Sequence, residues 1–192
     1  MHIHRVRNPY ANGYQGWSDW RYRKLRNLLL SILRNRCSNL LLHDWYLQVR
    51  YPSAQRSKDP NTQVGACIVN DDRHIVGVGY NGMPNGTKDA EAHWEREGDF
   101  ENTKYAYVVH SELNAILNSN GSVKGCTIYV SLFPCNECAK AIVQSGIKEI
   151  VYLSDKYDGT PANRVSKMIL SSAKVKFRQL KMEAEEIVLT AN

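Results

Sequence analysis

The sequence predicts a three-layer α/β domain, and two observations carry that expectation. Two β-rich runs, 64–69 and 74–79, flank Asn70-Asp71-Asp72 and read as an antiparallel hairpin. Beyond them the apolar pattern switches repeatedly between helical and extended spacing: helix 111–119, strand 127–132, helix 135–145, strand 149–153, helix 162–172 and strand 175–178. Strands alternating with helices imply right-handed crossovers and a largely parallel remainder of the sheet.

Leu25, Leu28, Leu29, Ile32 and Leu33 recur at helical spacing, with Arg21, Arg23, Lys24, Arg26, Arg34 and Arg36 mostly on the other side, so 21–36 reads as a basic amphipathic helix. A short helical stretch is expected from Asp44 to about Gln55, broken or ended by Pro52, which lacks the amide hydrogen a helix interior needs. Residues 56–60 and 79–86, the latter with Asn81-Gly82 and Pro84, read as loops, and 89–104 is a polar, acidic stretch without period. There is no internal repeat and no low-complexity segment, and 183–192 carries no signal.

A chain of 192 residues, 43% hydrophobic and 23% charged, is expected to bury one ordinary core, as a basic extension at 1–43 followed by the folded domain at 44–192. Its longest apolar runs, such as 28–30 and 40–42, are too short to span a bilayer. The five cysteines are odd in number, and Cys37, Cys67 and Cys126 show no framework spacing, so a reducing, cytoplasmic setting is expected. An Arg-rich, acid-poor N-terminus also fits an organelle transit peptide.

The formal charge of +6 hints at a nucleic-acid partner until it is divided along the chain. Residues 1–43 hold eight Lys/Arg against one acid, Asp19, while 44–192 hold 17 against 18. A polynucleotide groove belongs on the catalytic domain, where counterion release supplies affinity, and that part is close to neutral. Binding to nucleic acid is therefore not expected.

The chemistry is concentrated in His110-Ser111-Glu112 and Pro134-Cys135-Asn136-Glu137-Cys138. One His and two Cys give three ligands for Zn²⁺ and leave a fourth position open, the layout of a catalytic rather than a closed structural site. Cys135 and Cys138 fall on one helix face if Pro134 marks the first turn, and a helix N-terminus favours the thiolate that binds metal. His110 and Glu112, two apart, must straddle a helix start to reach one pocket. Two thiolates and a neutral imidazole leave the ligand set formally uncharged, so activation of water needs help from Glu112, free of the metal and able to accept a proton and return it. A redox Cys-x-x-Cys is the competing reading, but the thioredoxin-like context is missing.

H-x-E followed by P-C-x-x-C is the signature of zinc-dependent deaminases. The chain also carries S-A-Q-R-S-K-D-P-N-T-Q-V-G-A, G-Y-N-G-M-P-N-G, H-S-E-L-N-A-I-L-N, L-F-P-C-N-E-C-A-K and S-D-K-Y-D. In these it resembles the deoxycytidylate deaminases of the eukaryotic type, within the zinc-dependent cytidine/deoxycytidylate deaminase family, over about 53–178. The resemblance implies a cytidine-deaminase fold with a central five-stranded mixed sheet and hydrolysis of dCMP to dUMP for thymidylate synthesis. It also implies a homo-oligomer, usually a hexamer, activated by dCTP and inhibited by dTTP.

Residue by residue, the resemblance makes His110, Cys135 and Cys138 the zinc ligands and Glu112 the proton shuttle. It makes Asn81 the holder of the sugar hydroxyl and Tyr157 a substrate contact. Arg56, Ser57 and Lys58 offer cation, hydroxyl and loop amides to a 5′-phosphate. Gly79, Gly82 and Gly86 bracket a loop where backbone can approach an effector nucleotide closely. Ser111 replaces the family's usual Ala, and Arg50 and Pro52 stand where the family packs apolar residues, which predicts a shortened or displaced first helix. A polynucleotide or tRNA deaminase, an inactive zinc-binding relic and a nucleoside-level cytidine deaminase remain as alternatives.

Overall fold

The computed structural model describes residues 39–87 and 93–180; the expected basic helix at 21–36 and the tail from 183 lie outside them. Five strands form one sheet in the order β2-β1-β3-β4-β5, with β1 Gly65–Val69, β2 Ile75–Tyr80, β3 Thr127–Leu132, β4 Glu149–Ser154 and β5 Lys176–Gln179. β1 pairs antiparallel with β2 and with β3, whereas β3, β4 and β5 run parallel, so the sheet is mixed. The parallel half follows from the helices α3 Asn136–Gln144 and α4 Pro161–Ser172, which carry the chain back between successive strands.

Period-2 alternation along β1, β3 and β4 builds both faces of the sheet at once. Ala66, Ile68, Ile128, Val130 and Ile150 point to one side, where they meet Ala115 of α2 Ser111–Leu117, Ala139 and Ile142 of α3, and Leu170 of α4. Cys67, Val69, Tyr129 and Val151 point to the other, against Tyr46 and Leu47 of α1 Asn39–Ala54 and Leu180. Burial on both faces explains why these strands are nearly continuous apolar runs. No helix among the described residues is long and apolar enough to cross a membrane.

Two expectations are corrected here. α1 is not shortened: it begins ahead of Asp44 and runs through Pro52 to Ala54, so that Pro52 removes the one backbone bond to Gln48 O without ending the helix there. Gln55 N still donates to Tyr51 O at 3.2 Å, and Arg50 finds a partner by donating from Nη1 to Ser131 Oγ. Gly79 is not a loop residue open to an effector but part of β2, and a Cβ there would lie 2.2 Å from Ser111 O and 2.3 Å from Ala115 N. With Gly77, 2.5 Å from Ala115 O by the same measure, it lets α2 lie backbone-to-backbone on the strand. That close approach sets the height of the next feature, the start of α2.

Candidate active site

His110 is the residue immediately before α2, in extended conformation, and Glu112 lies in the first turn, so the pair does straddle a helix start. The position is fixed twice. Gly82 and Val109 exchange backbone hydrogen bonds of 3.1 and 2.8 Å, and Asn114 Nδ2 donates to Tyr80 O at 2.7 Å. Cys135 likewise precedes its helix, in extended conformation before Asn136, while Cys138 is buried within α3. The two sulfurs therefore converge from a helix-capping position and the first turn rather than from one helix face. The turn ahead of them is pinned by Ser166, whose hydroxyl donates to Pro134 O at 2.8 Å.

Both sulfurs lie 3.4 Å from one imidazole nitrogen, Nδ1 of His110, and the three donor atoms are within 4.8 Å of one another. Zinc–sulfur and zinc–nitrogen bonds in a tetrahedral site separate N from S by about 3.5 Å, so these residues fit the metal. His110 is open to solvent, Cys135 half-buried and Cys138 buried. The proton affinities reflect the contacts the three donors make with one another. Hydrogen bonding from Cys138 and the neighbouring His110 take Cys135 down to about 4 against the effect of burial. The contact with Cys135, and the charges of Glu112 and Cys135, raise His110 to about 9 against partial desolvation of the imidazole, whose outer edge reaches solvent. A divalent cation binding here would displace the protons held by the imidazole and by Cys138, and would meet Cys135 already as thiolate.

Glu112 is 5% exposed, and burial raises its pKa above the usual carboxylate range, against the pull of His110 and the Ser111 hydroxyl. Ser111 Oγ donates to Glu112 Oε2 at 3.0 Å, which gives Ser111 a direct role in orienting the carboxylate. A carboxylate raised by burial is the kind of group that can both take and return a proton near neutral pH.

A cleft of about 240 Å³, near the lower end for small-molecule sites, opens from this floor, with Phe133 and Leu132 along one wall and Val64, Asn81 and Tyr157 among its other lining residues. Asn81 is held on three sides: Nδ2 donates to Thr62 O at 2.9 Å and Asp59 Oδ2 at 3.2 Å, and Oδ1 accepts from Val64 N at 2.8 Å. Tyr157 is on the exposed rim, in a loop braced by Lys167, which bridges Asp155 at 2.8 Å and Asp158 at 2.7 Å.

Arg56, Ser57 and Lys58 do not line the cleft. The chain turns at the end of α1 so that Ser57 is buried and its Oγ accepts from Asp59 N at 3.3 Å, while Arg56 stacks on the Tyr80 ring, 5.4 Å from its centroid. Gly82 has only the Tyr80 ring near its Cβ position, at 3.7 Å, and Gly86, at φ +88°, faces open space.

The cleft also contains residues that sequence reasoning missed: Asp59, Arg96, Lys104 and Tyr105. Lys104 Nζ donates to Asp59 Oδ2 at 2.6 Å, and both side chains are under 10% exposed, 9% and 2%. Burial pushes Asp59 up, but Lys104 and the amides of Asn61 and Thr62 outweigh it and hold the carboxyl below its usual range. The pair ties the loop ahead of β1 to the segment ahead of His110. Lys104→Met leaves Asp59 buried without its counter-ion and is expected to cost about 3–5 kcal/mol, read from urea denaturation. A loss under about 1 kcal/mol would show that the pair does not brace the cleft.

Comparison with known proteins agrees with this geometry. Residues 42–154 match the cytidine and deoxycytidylate deaminase zinc-binding region. The chain is 51% identical over 148 residues to the deoxycytidylate deaminase of Homo sapiens, covering 76% of this chain and 83% of the human one. It is 34% identical over 150 residues to the deoxycytidylate deaminase of Enterobacteria phage T4, covering 58% and 77%. In fold it is similar to the dCMP deaminase of cyanophage S-TIM5 solved with dCMP and dUMP, at a TM-score of 0.58 and 22% identity over 71% of this chain and 95% of that one. The chain belongs to the cytidine and deoxycytidylate deaminase family.

Proposed function

We propose that this protein hydrolyses dCMP to dUMP and ammonia, supplying dUMP for thymidylate synthesis. The observation that carries the reading is the buried Glu112 carboxylate beside a His110, Cys135, Cys138 cluster on the floor of a cleft of nucleotide-monomer scale. Extensive identity with the human deoxycytidylate deaminase supports the choice of substrate.

His110 Nδ1 and the two sulfurs would hold Zn²⁺, which would lower the pKa of a water and so supply a nucleophile at neutral pH. As the water oxygen bonds to C4, Glu112 takes its first proton and delivers it to N3 of the cytosine ring; Glu112 then takes the remaining proton from the C4 hydroxyl and passes it to the amino group, so that the C4–N bond breaks, C4=O forms and ammonia leaves. Ser111 keeps the carboxylate aimed, and Phe133 and Leu132 line the cleft with apolar surface. Asn81 Oδ1 retains a lone pair for a sugar hydroxyl while its amide hydrogens are spent on Thr62 and Asp59. Tyr157 meets the substrate at the rim.

dCTP and dTTP act as effectors of a cytoplasmic hexamer, with the Gly82 and Gly86 segment the candidate effector contact and 1–43 an extension to the catalytic domain at 44–192. A polynucleotide substrate is disfavoured because residues 44–192 hold 17 Lys/Arg against 18 acids. The test is a panel of dCMP, CMP, deoxycytidine and a cytosine oligonucleotide, each with and without dCTP. dCMP is expected to give the highest kcat/KM and to respond to dCTP. Deamination of the oligonucleotide with dCMP untouched would overturn the reading.

A further inference from the structure

The charges lining the cleft do not all cancel. Three cationic or potentially cationic side chains face it, Arg96, Lys104 and His110, along with two acids, Asp59 and Glu112. Lys104 is spent on Asp59. His110 is spent on the sulfur cluster. Among the described residues Arg96 makes no ion pair, only a weak charge interaction with Glu97: its Nε donates to Tyr105 Oη at 3.3 Å, and its two terminal amino groups have no hydrogen-bond partner among those residues. Arg96, Tyr105 and Tyr157 are all exposed, whereas Glu112 and Cys138 are buried. The cleft is thus polarised, with proton transfer at its floor and a guanidinium fork at its rim.

We infer that Arg96 is the specificity-determining residue that reads the 5′-phosphate of the nucleotide and so separates dCMP from the bare nucleoside, an inference that rests on the function proposed above. A planar guanidinium with two free donors matches phosphate oxygens in a bidentate way that a lysine point charge does not. Fixing Nε on the Tyr105 hydroxyl orients the fork before the ligand arrives. Position on the rim suits a dianion, which keeps part of its hydration there while the base turns inward. The Arg56, Ser57 and Lys58 loop, which has the composition for this task, is outside the cleft lining.

The experiment compares kcat/KM for dCMP and for deoxycytidine in the wild type, Arg96→Ala and Arg96→Lys proteins at equal zinc content. Losing charge-assisted hydrogen bonds is expected to lower kcat/KM for dCMP by about 10- to 100-fold in Arg96→Ala, with a smaller loss in Arg96→Lys. The value for deoxycytidine is expected to stay within about twofold, because that substrate has nothing for the fork to hold. Calorimetry with the product gives the same comparison free of turnover: dUMP binds Arg96→Ala more weakly by a similar factor, and deoxyuridine binds both proteins alike. A dCMP value unchanged in Arg96→Ala, or equal losses for nucleotide and nucleoside, would overturn the inference. A wild type that ignores dCMP would instead remove the function on which it rests, before any variant is assayed.

Discussion

Glu112→Gln is expected to lower turnover of dCMP by about 10⁴-fold, the upper end for a general acid–base group, while the protein keeps its zinc and its melting temperature. The size follows from the number of steps that pass through one carboxylate. Glu112 carries one proton from water to the ring and a second from the C4 hydroxyl to the leaving amine, and no other carboxylate lines the floor, since Asp59 is locked onto Lys104. Glutamine preserves shape and the hydrogen bond from Ser111 but cannot exchange a proton. Stability is expected to hold because a buried carboxyl with a raised pKa is already a cost to the fold. The loss of absorbance of the cytosine ring on conversion to uracil measures the rate. A variant retaining a tenth of wild-type activity would remove Glu112 from the proton path.

Cys138→Ala is expected to lose its zinc and a large part of its stability. Cys138 is 3% exposed, at the first turn of α3, with its sulfur 3.4 Å from His110 Nδ1, so deletion takes away a ligand that no neighbouring side chain replaces. Metal binding to such a set is folding free energy, and its loss should lower the melting temperature by on the order of 10 °C. Cys126→Ala is the control: it also removes a buried thiol, but one outside the cluster, and should keep its zinc. Normal zinc content in Cys138→Ala would break the ligand assignment, whatever the effect on melting.

The parts of this molecule that were legible in the sequence are those where a local rule and the tertiary structure agree. Strands β1, β3 and β4 announce themselves because both faces are buried, and α3 and α4 because one face is. The ligand cluster was legible because fixed spacing and chemistry coincide at two helix starts. Pro52 misled because it removes a single backbone bond, to Gln48 O, and the helix has only two residues left to run, so one lost bond does not end it early. Gly79 looked like a loop glycine, and only the close packing of α2 on β2 explains why no side chain fits there.

The rim and walls of the cleft were hidden for a different reason. Asp59, Arg96, Lys104 and Tyr105 come from loops and short 3₁₀ turns without period, and a buried lysine leaves no signature until its partner, 45 positions away, is known. The Arg56, Ser57 and Lys58 run had the right composition for phosphate and the wrong direction. Turning at the end of α1 buries Ser57 and lays Arg56 on Tyr80.

The central claim is that one zinc ion beside Glu112 drives deamination of a free nucleotide. Adding zinc stepwise to the metal-free protein while following conversion of dCMP to dUMP tests it most directly. The rate is expected to rise in proportion to zinc and to level off at about one ion per chain, the capacity of a single three-ligand catalytic site. Full activity in the metal-free protein, or no activity at any zinc level in a protein that binds the ion and remains folded, would contradict it.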